Sequence, residues 1–365
     1  MRIIFFVSLI FSLGYSVYLS NKSCKECHKK IYMEYQYSYH SKGYFNDILH
    51  RKIADKISTK KYDCAICHMP AANNIRDIID GVDRPNSANV TNSDAVSCFF
   101  CHEIAYVKKS HRFNINILTK QASGYKPSLY GNLKNPANNA KHFSLDNPLY
   151  ENNVCKGCHS HKRNENNLLI FRAMKDSQTS KECIKCHMPY IQGGNEDINE
   201  KARKVHRSHY FNGIYSDEMR KKSVNLKLAF KKKYHIIITL KNKMGHPLII
   251  QSAREMFLRV LIKRGNKIVW SNKKDKNSYF KYDYLKGKND IVIPYTATSY
   301  KWYNNLGARK SKIYNYYIKN LKKGDKVDVS FYIIIARKKC LNDIGLANNG
   351  LYRPLLAKKI VKIVQ

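Results

Sequence analysis

The run Cys98-Phe99-Phe100-Cys101-His102 sets two cysteines three positions apart, with a histidine directly after the second. The same arrangement occurs at Cys24-Lys25-Glu26-Cys27-His28, Cys64-Ala65-Ile66-Cys67-His68, Cys155-Lys156-Gly157-Cys158-His159 and Cys183-Ile184-Lys185-Cys186-His187. C-x-x-C-H is the attachment signature of c-type haem. One turn of backbone separates the thiols by about the distance between the two vinyl groups of a porphyrin. The imidazole that follows lies under the ring as proximal ligand to the iron. A thioredoxin-like redox pair or half of a zinc site also uses C-x-x-C, but neither needs His at one fixed place in every copy. A disulfide framework has no use for that His either. The expectation is five covalent haems, with His28, His68, His102, His159 and His187 as proximal ligands. Cys340, the eleventh cysteine, stands beside Arg337, Lys338 and Lys339 without a partner pattern and reads as a plain thiol.

The rest of the chain divides around these motifs. Its 365 residues exceed what single cores commonly reach, and 43% are hydrophobic, enough for one or two cores. Up to about residue 215 the sequence is loop-rich, with Asn clusters and no long periodic segment, as expected where haems supply the apolar interior. Beyond it come period-two runs: Val224, Leu226, Leu228 and Phe230; Met256, Leu258, Val260 and Ile262; Val327, Val329, Phe331, Ile333 and Ile335. Turn signals such as Arg264-Gly265-Asn266 and Lys323-Gly324-Asp325 separate them, which predicts half-buried antiparallel strands. The fold class expected is α+β and multidomain. A loop- and helix-containing pentahaem domain over 21–215 precedes an all-β sandwich over 216–365.

Charge follows the same division. The chain carries 66 Lys+Arg against 27 Asp+Glu, a formal +39. Residues 1–200 hold 27 against 18, a net of +9, and residues 201–365 hold 39 against 9, a net of +30. Ten haem propionates would offset much of the first half and none of the second. Lys outnumbers Arg 50 to 16, as in an AT-rich genome, but base composition does not explain the asymmetry. Two readings stand: a solvated Lys-rich face, or a docking surface for an acidic redox protein or an anionic membrane. Nucleic acid is excluded as a partner, because haem c is attached outside the cytoplasm and no recognition motif appears.

Export agrees with the N-terminus. Met1-Arg2 supplies a short positive region, Ile3 to Leu13 an apolar one, and Gly14-Tyr15-Ser16 small residues at a cleavage site. Residues 1–20 thus read as a signal peptide, or as an uncleaved anchor if the apolar run to Leu19 is retained. The location expected is the periplasm or beyond.

Nine histidines remain for the second axial position: His40, His50, His111, His142, His161, His206, His209, His235 and His246. Met69 and Met188 each follow a proximal His directly and cannot reach the opposite face of that same ring. By the same geometry His40 and His161 suit a neighbouring haem better than the one just before them. His235 alternates with Ile236, Ile238 and Leu240 and points away from their buried face.

The first 215 or so residues resemble the multihaem cytochromes c related to the tetrahaem electron carrier of nitrifying bacteria. The resemblance rests on Ser38-Tyr39-His40 after the first motif, Ala95-Val96-Ser97 before the third, and Lys141-His142-Phe143-Ser144 before the fourth. Arg207-Ser208-His209-Tyr210-Phe211-Asn212-Gly213 after the fifth is similar to the R-S-H-x-F-x-G segment of extended members, which carry a β-sandwich after the haems. Gly245-His246 in Asn242-Lys243-Met244-Gly245-His246-Pro247 is similar to their entry loop, without its P-T-G. The resemblance implies His40, His142, His209 and His246 as distal ligands, and His111 completes five.

Two functions follow. An electron carrier would pass single electrons along closely spaced bis-His haems between redox partners. A reductase or oxidase of small nitrogen or sulfur compounds would need one iron with an open face. The periplasmic ammonia-forming nitrite reductase also has five haems, but one of its motifs ends in Lys, whereas all five here end in His. The carrier is the expectation, and no catalytic residue is assigned.

Overall fold

The computed structural model describes residues 18–119, 126–137, 139–147, 150–174, 179–194, 203–232 and 234–365. The signal-peptide reading falls almost wholly outside the described residues. No helix among those described is long and apolar enough to cross a membrane.

Up to residue 215 the chain forms short helices and small two-stranded sheets. Lys29–Tyr37 and Ile48–Ile57 are the longest helices there, at 9 and 10 residues. Side-chain caps explain where several helices begin. Ser20 Oγ accepts from Ser23 N at 3.1 Å, Asp47 Oδ1 from His50 N at 3.1 Å, and Ser97 Oγ from Phe100 N at 3.1 Å. Each satisfies an amide that the first turn leaves without a partner. Among the described residues, one apolar cluster lies wholly in this half, around Tyr62, Ala65, Met69 and Ile78. Met69 is fully buried there.

After residue 223 the structure is mostly strand. The first sheet joins β1 (Val224–Lys232), β2 (His235–Asn242) and β8 (Ser311–Tyr317), antiparallel in the order β8-β2-β1. The second is built on β3 (Glu255–Arg264), which pairs with β4 (Lys267–Ser271), β5 (Tyr279–Lys286) and β9 (Lys326–Ile334). It is completed by β6 (Asp290–Ile291) and β7 (Ser299–Asn304) on β5, and by β10 (Leu355–Ile363) on β9. All of these pairings are antiparallel, and no barrel closes.

The period-two runs behave as strands do when alternate residues face one side. Leu226, Ile236, Ile238 and Leu240 of the first sheet share one apolar cluster with Leu258, Val260, Val327 and Phe331 of the second. His235 points outward, stacked on Tyr317 with ring centres 4.2 Å apart. Gly265 (φ +57°) and Gly324 (φ +85°) take the left-handed conformation that the two turns require, which costs glycine little.

The two halves are packed together. Leu49 and Ile53 of the Ile48–Ile57 helix share a cluster with Ile335, Cys340 and Leu341. Asn164 Nδ2 donates to the carbonyls of Pro294 (2.9 Å) and Ala297 (2.8 Å), and Tyr284 Oη donates to Leu169 O (2.7 Å). Cys340 is buried in this interface and desolvation raises its thiol pKa, so it is an inert core residue.

Candidate haem-binding site

Each of the five motifs lies on a helical turn. The His28, His68 and His159 amides donate to the carbonyls of Cys24, Cys64 and Cys155 at 2.8–2.9 Å, the i to i−4 bond of an α-helix. The third motif is the helix Cys98–His102, and the fifth ends the helix Ser180–His187. On such a turn positions i, i+3 and i+4 share one face, so both thiols and the imidazole point the same way.

Buried polar contacts then gather the motifs. Asn21 accepts from Cys98 N at 2.9 Å through Oδ1 and donates to Tyr35 Oη at 3.1 Å, clamping the first motif to the third. Tyr35 Oη in turn donates to Asp94 O at 2.6 Å. Ser180 Oγ accepts from Cys155 N at 2.9 Å, which joins the fourth motif to the fifth. Asn116 Nδ2 approaches Cys158 Sγ at 3.5 Å, and any Cβ at Gly157 would collide with that same Asn116 side chain. Thiols of neighbouring motifs interact electrostatically: Cys24 with Cys98, Cys67 with Cys158, and Cys155 with Cys183. The fourth motif therefore borders both the second and the fifth.

The histidines are arranged in pairs. An iron held between two imidazoles puts the ring centres about 6 Å apart, from metal–nitrogen bonds of about 2 Å and about 1 Å more to each centre. His28 faces His142 at 6.4 Å, His102 faces His209 at 6.5 Å, and His159 faces His40 at 5.9 Å. His68 faces His50 at 4.6 Å, so these two rings must part to admit a metal. His246 lies within electrostatic reach of His187. Four of the proximal histidines thus stand against a second His, the fifth has His246 in its electrostatic surroundings, and the donor set fits haem iron.

The outer ring nitrogens are oriented as metal ligands usually are. Nδ1 of His102 meets Tyr130 O at 2.6 Å, that of His187 Asn212 O at 2.5 Å, that of His209 Arg207 O at 2.8 Å, and that of His246 Pro247 O at 2.8 Å. A carbonyl there fixes the proton on Nδ1 and leaves the Nε2 lone pair for a metal. His50 Nδ1 meets Asp47 Oδ2 at 2.6 Å in the same way. His142 Nδ1 lies 3.2 Å from Ser144 Oγ, while its Nε2 contacts Asn139 Nδ2 at 3.2 Å and must leave that amide to bind iron. Burial pushes His40 and His209 down to about 3, and His159 and His246 down to about 4. It lowers His68, His102 and His142 as well. All seven are neutral at neutral pH, the form that binds a metal.

Of the five expected distal residues, four are brought to a motif His and one is not. His111 is exposed and stands apart, its Nε2 on Asn167 Oδ1 at 2.8 Å. His50 occupies the corresponding place beside His68. The available sequence signal was Asp47 three residues earlier, which caps the helix and holds the ring. His161 bonds through Nε2 to the carbonyls of Ser110 and His111. His206 is buried with both nitrogens engaged, by Gly193 O at 2.8 Å and Glu34 Oε1 at 2.9 Å. Glu34 Oε2 also accepts from His209 N at 2.8 Å, so one buried carboxylate sets the whole 206–209 segment. Sequence reasoning missed Glu34. Phe211, at φ +47°, stands edge-on to His40 (4.2 Å, 85°) and to His209 (5.8 Å, 86°). A positive φ is strained for so bulky a residue, and such strain concentrates at functional sites.

Motifs, paired histidines and fold together are those expected of a multihaem c-type cytochrome. Residues 23–103 match the family model of cytochrome c554 and c-prime. The fold is similar to the crystal structure of a penta-haem cytochrome c552 from Thermochromatium tepidum, with a TM-score of 0.73 at 20% identity. That match covers 95% of this chain and 99% of the other. Among curated proteins no sequence match is found.

Proposed function

We propose that the protein is an exported pentahaem cytochrome that passes single electrons between redox partners, with two imidazoles on every iron. The observation that carries this is the pairing of four motif histidines with a second His, with ring centres 4.6–6.5 Å apart, and the electrostatic interaction of the fifth with His246. The proximal ligands are His28, His68, His102, His159 and His187, and the distal ones His142, His50, His209, His40 and His246. The ten motif cysteines would hold the haems as thioethers. The bound haems would supply one-electron redox chemistry. The protein's part is to bury the ligands, fix their tautomers through carbonyls, and hold the motifs in contact.

A reductase or oxidase needs an iron with an open face. No motif His lacks a second His within reach, which favours the carrier. Relation of the haem region to the tetrahaem carriers of nitrifying bacteria is supported by the segments ending in His40, His142 and His209. The strand-rich region after residue 215 reads as a basic β-sandwich that docks on an acidic redox protein or an anionic membrane, and the net +30 over residues 201–365 supports that reading. Periplasmic location follows from the chemistry of haem c attachment.

Intact mass gives the number of haems, and electron paramagnetic resonance of the oxidised protein gives their spin states. Five haems, all low-spin, are expected. A high-spin iron that binds nitrite, hydroxylamine or sulfite would replace this reading with the enzymatic one. Electron transfer to an acidic partner should slow as salt is raised, and rates indifferent to salt would remove the docking role.

A further inference from the structure

The helix Lys29–Tyr37 buries Glu34 and Tyr35 and leaves Met33 and Tyr37, four residues apart, together on an exposed face. It stops at Ser38, which is extended (φ −80°, ψ 161°) and buried, so Tyr37 and Tyr39 on either side of it both project outward. The segment 210–215 meets them there. Tyr210 lies against Tyr37 with ring centres 6.3 Å apart, and Tyr215 stacks on Tyr39 at 4.2 Å and 8°. Met33, Tyr37, Tyr39, Tyr210 and Tyr215 are each between 41% and 72% exposed.

Aromatic residues and Met at the centre with charge at the rim is the make-up of a protein interface. The rim here is basic. Lys29 and Lys30 are exposed one turn before Met33, on the face it shares with Tyr37. Asp217 and Glu218, just past Tyr215, are each paired within their own helix, with Lys221 and Lys222. Glu34 is buried on His206 and presents no charge to solvent. The patch also backs onto two proposed iron ligands. Tyr39 directly precedes His40, Tyr210 directly follows His209, and Phe211 stands edge-on to both imidazoles. A second copy of the chain is a poor occupant, because the formal +39 exceeds the ten propionate charges of five haems and like charges repel.

We propose that this tyrosine patch is the seat on which an acidic one-electron redox protein docks to exchange electrons with the third and fourth haems. The assignment rests on the pentahaem carrier reading, and haem count tests that reading separately. The exposed rings meet the partner's apolar contact area, and Lys29 and Lys30 meet its carboxylates. One electron passes from the partner's reduced centre to a ferric haem, which becomes ferrous as the partner is oxidised; no bond forms and no proton moves.

The experiment is stopped-flow reduction of the oxidised holoprotein by a reduced plant-type [2Fe–2S] ferredoxin, an acidic one-electron carrier. Reduced methyl viologen serves as the reductant that needs no seat, and haems are counted by mass in every variant. The double variant Tyr37→Ser, Tyr39→Ser should lower the second-order rate with ferredoxin about tenfold and leave the viologen rate unchanged. Tyr106→Ser, at an exposed tyrosine outside the patch, should leave both rates unchanged. Tyr37→Glu sets a like charge against the acidic partner and should slow ferredoxin at least as much; it decides alone if the double variant does not load haem. Unaltered ferredoxin rates in the double variant or in Tyr37→Glu would overturn the proposal. So would a parallel fall in the viologen rate, equal slowing by Tyr106→Ser, or a dimer that the double variant dissolves. A five-haem unmutated protein that ferredoxin fails to reduce would overturn it too. Fewer than five haems in the unmutated protein would instead sink the pentahaem reading.

Discussion

Replacing His50 by glycine tests the least expected of the five pairings. His50 faces His68 and no other motif His, so its loss should leave one iron five-coordinate and the other four untouched. About one-fifth of the ferric iron should then pass from low spin to high spin. Asp47 Oδ2 would lose its 2.6 Å partner in a half-buried setting, a cost of about 1–3 kcal/mol, while its cap to the residue-50 amide survives because that bond uses backbone. The assay is quantitative electron paramagnetic resonance at constant haem content, repeated with added imidazole, which should restore the low-spin signal. His111→Gly is the control and should change nothing, since that ring binds Asn167 at the surface. A fully low-spin His50→Gly protein, or a high-spin signal in His111→Gly, would refute the pairing.

Three other outcomes are expected. Glu34→Ala removes a carboxylate that serves both His206 and His209 N, and should destabilise the protein by about 3–5 kcal/mol in denaturant melts; it should also alter the resonance of the haem ligated by His209. Phe211→Ala should change the spectra of two haems, those ligated by His40 and His209, by freeing both rings, and Phe211→Gly should do so with about 1 kcal/mol less destabilisation because glycine accepts φ +47°. Spectra identical to the original in both variants would show that Phe211 does not position the ligands. Leu258→Ala in β3, where the side chain is only 1% exposed, should cost about 2–5 kcal/mol of unfolding free energy, and a loss below about 1 kcal/mol would contradict the packing described.

The motifs were legible because their chemistry needs fixed local spacing: two thiols and an imidazole on one helical turn. The strands were legible because alternation in burial repeats every second residue, and Val260, Ile262, Val327 and Val329 all lie inside as that period requires. Phe230 departs from it near the end of β1, where its side chain is 36% exposed. Distal ligation was only partly legible. His40, His142, His209 and His246 lay in segments resembling known ligand loops, whereas His50 sits in an ordinary amphipathic helix. Its meaning comes from where the chain brings His68. The same holds for Glu34, whose role depends on His206 and His209, far off in sequence. Packing between the halves was equally hidden, since nothing in the spacing of Leu49 and Ile53 names Ile335 or Leu341 as neighbours.

The paired histidines also bear on how the chain matures. Three of the pairings, His28 with His142, His159 with His40 and His102 with His209, join points on the order of 100 residues apart, and on the pentahaem reading a covalently attached haem would make each junction a staple rather than a passing contact. Closing a loop of that length removes roughly 4–5 kcal/mol of unfolded-chain entropy, as a disulfide of the same span would. These staples overlap in sequence, so no one of them encloses an independent module. Attachment of all five haems should therefore precede final folding, and a chain that misses one would lose cohesion across the whole haem region instead of in one lobe.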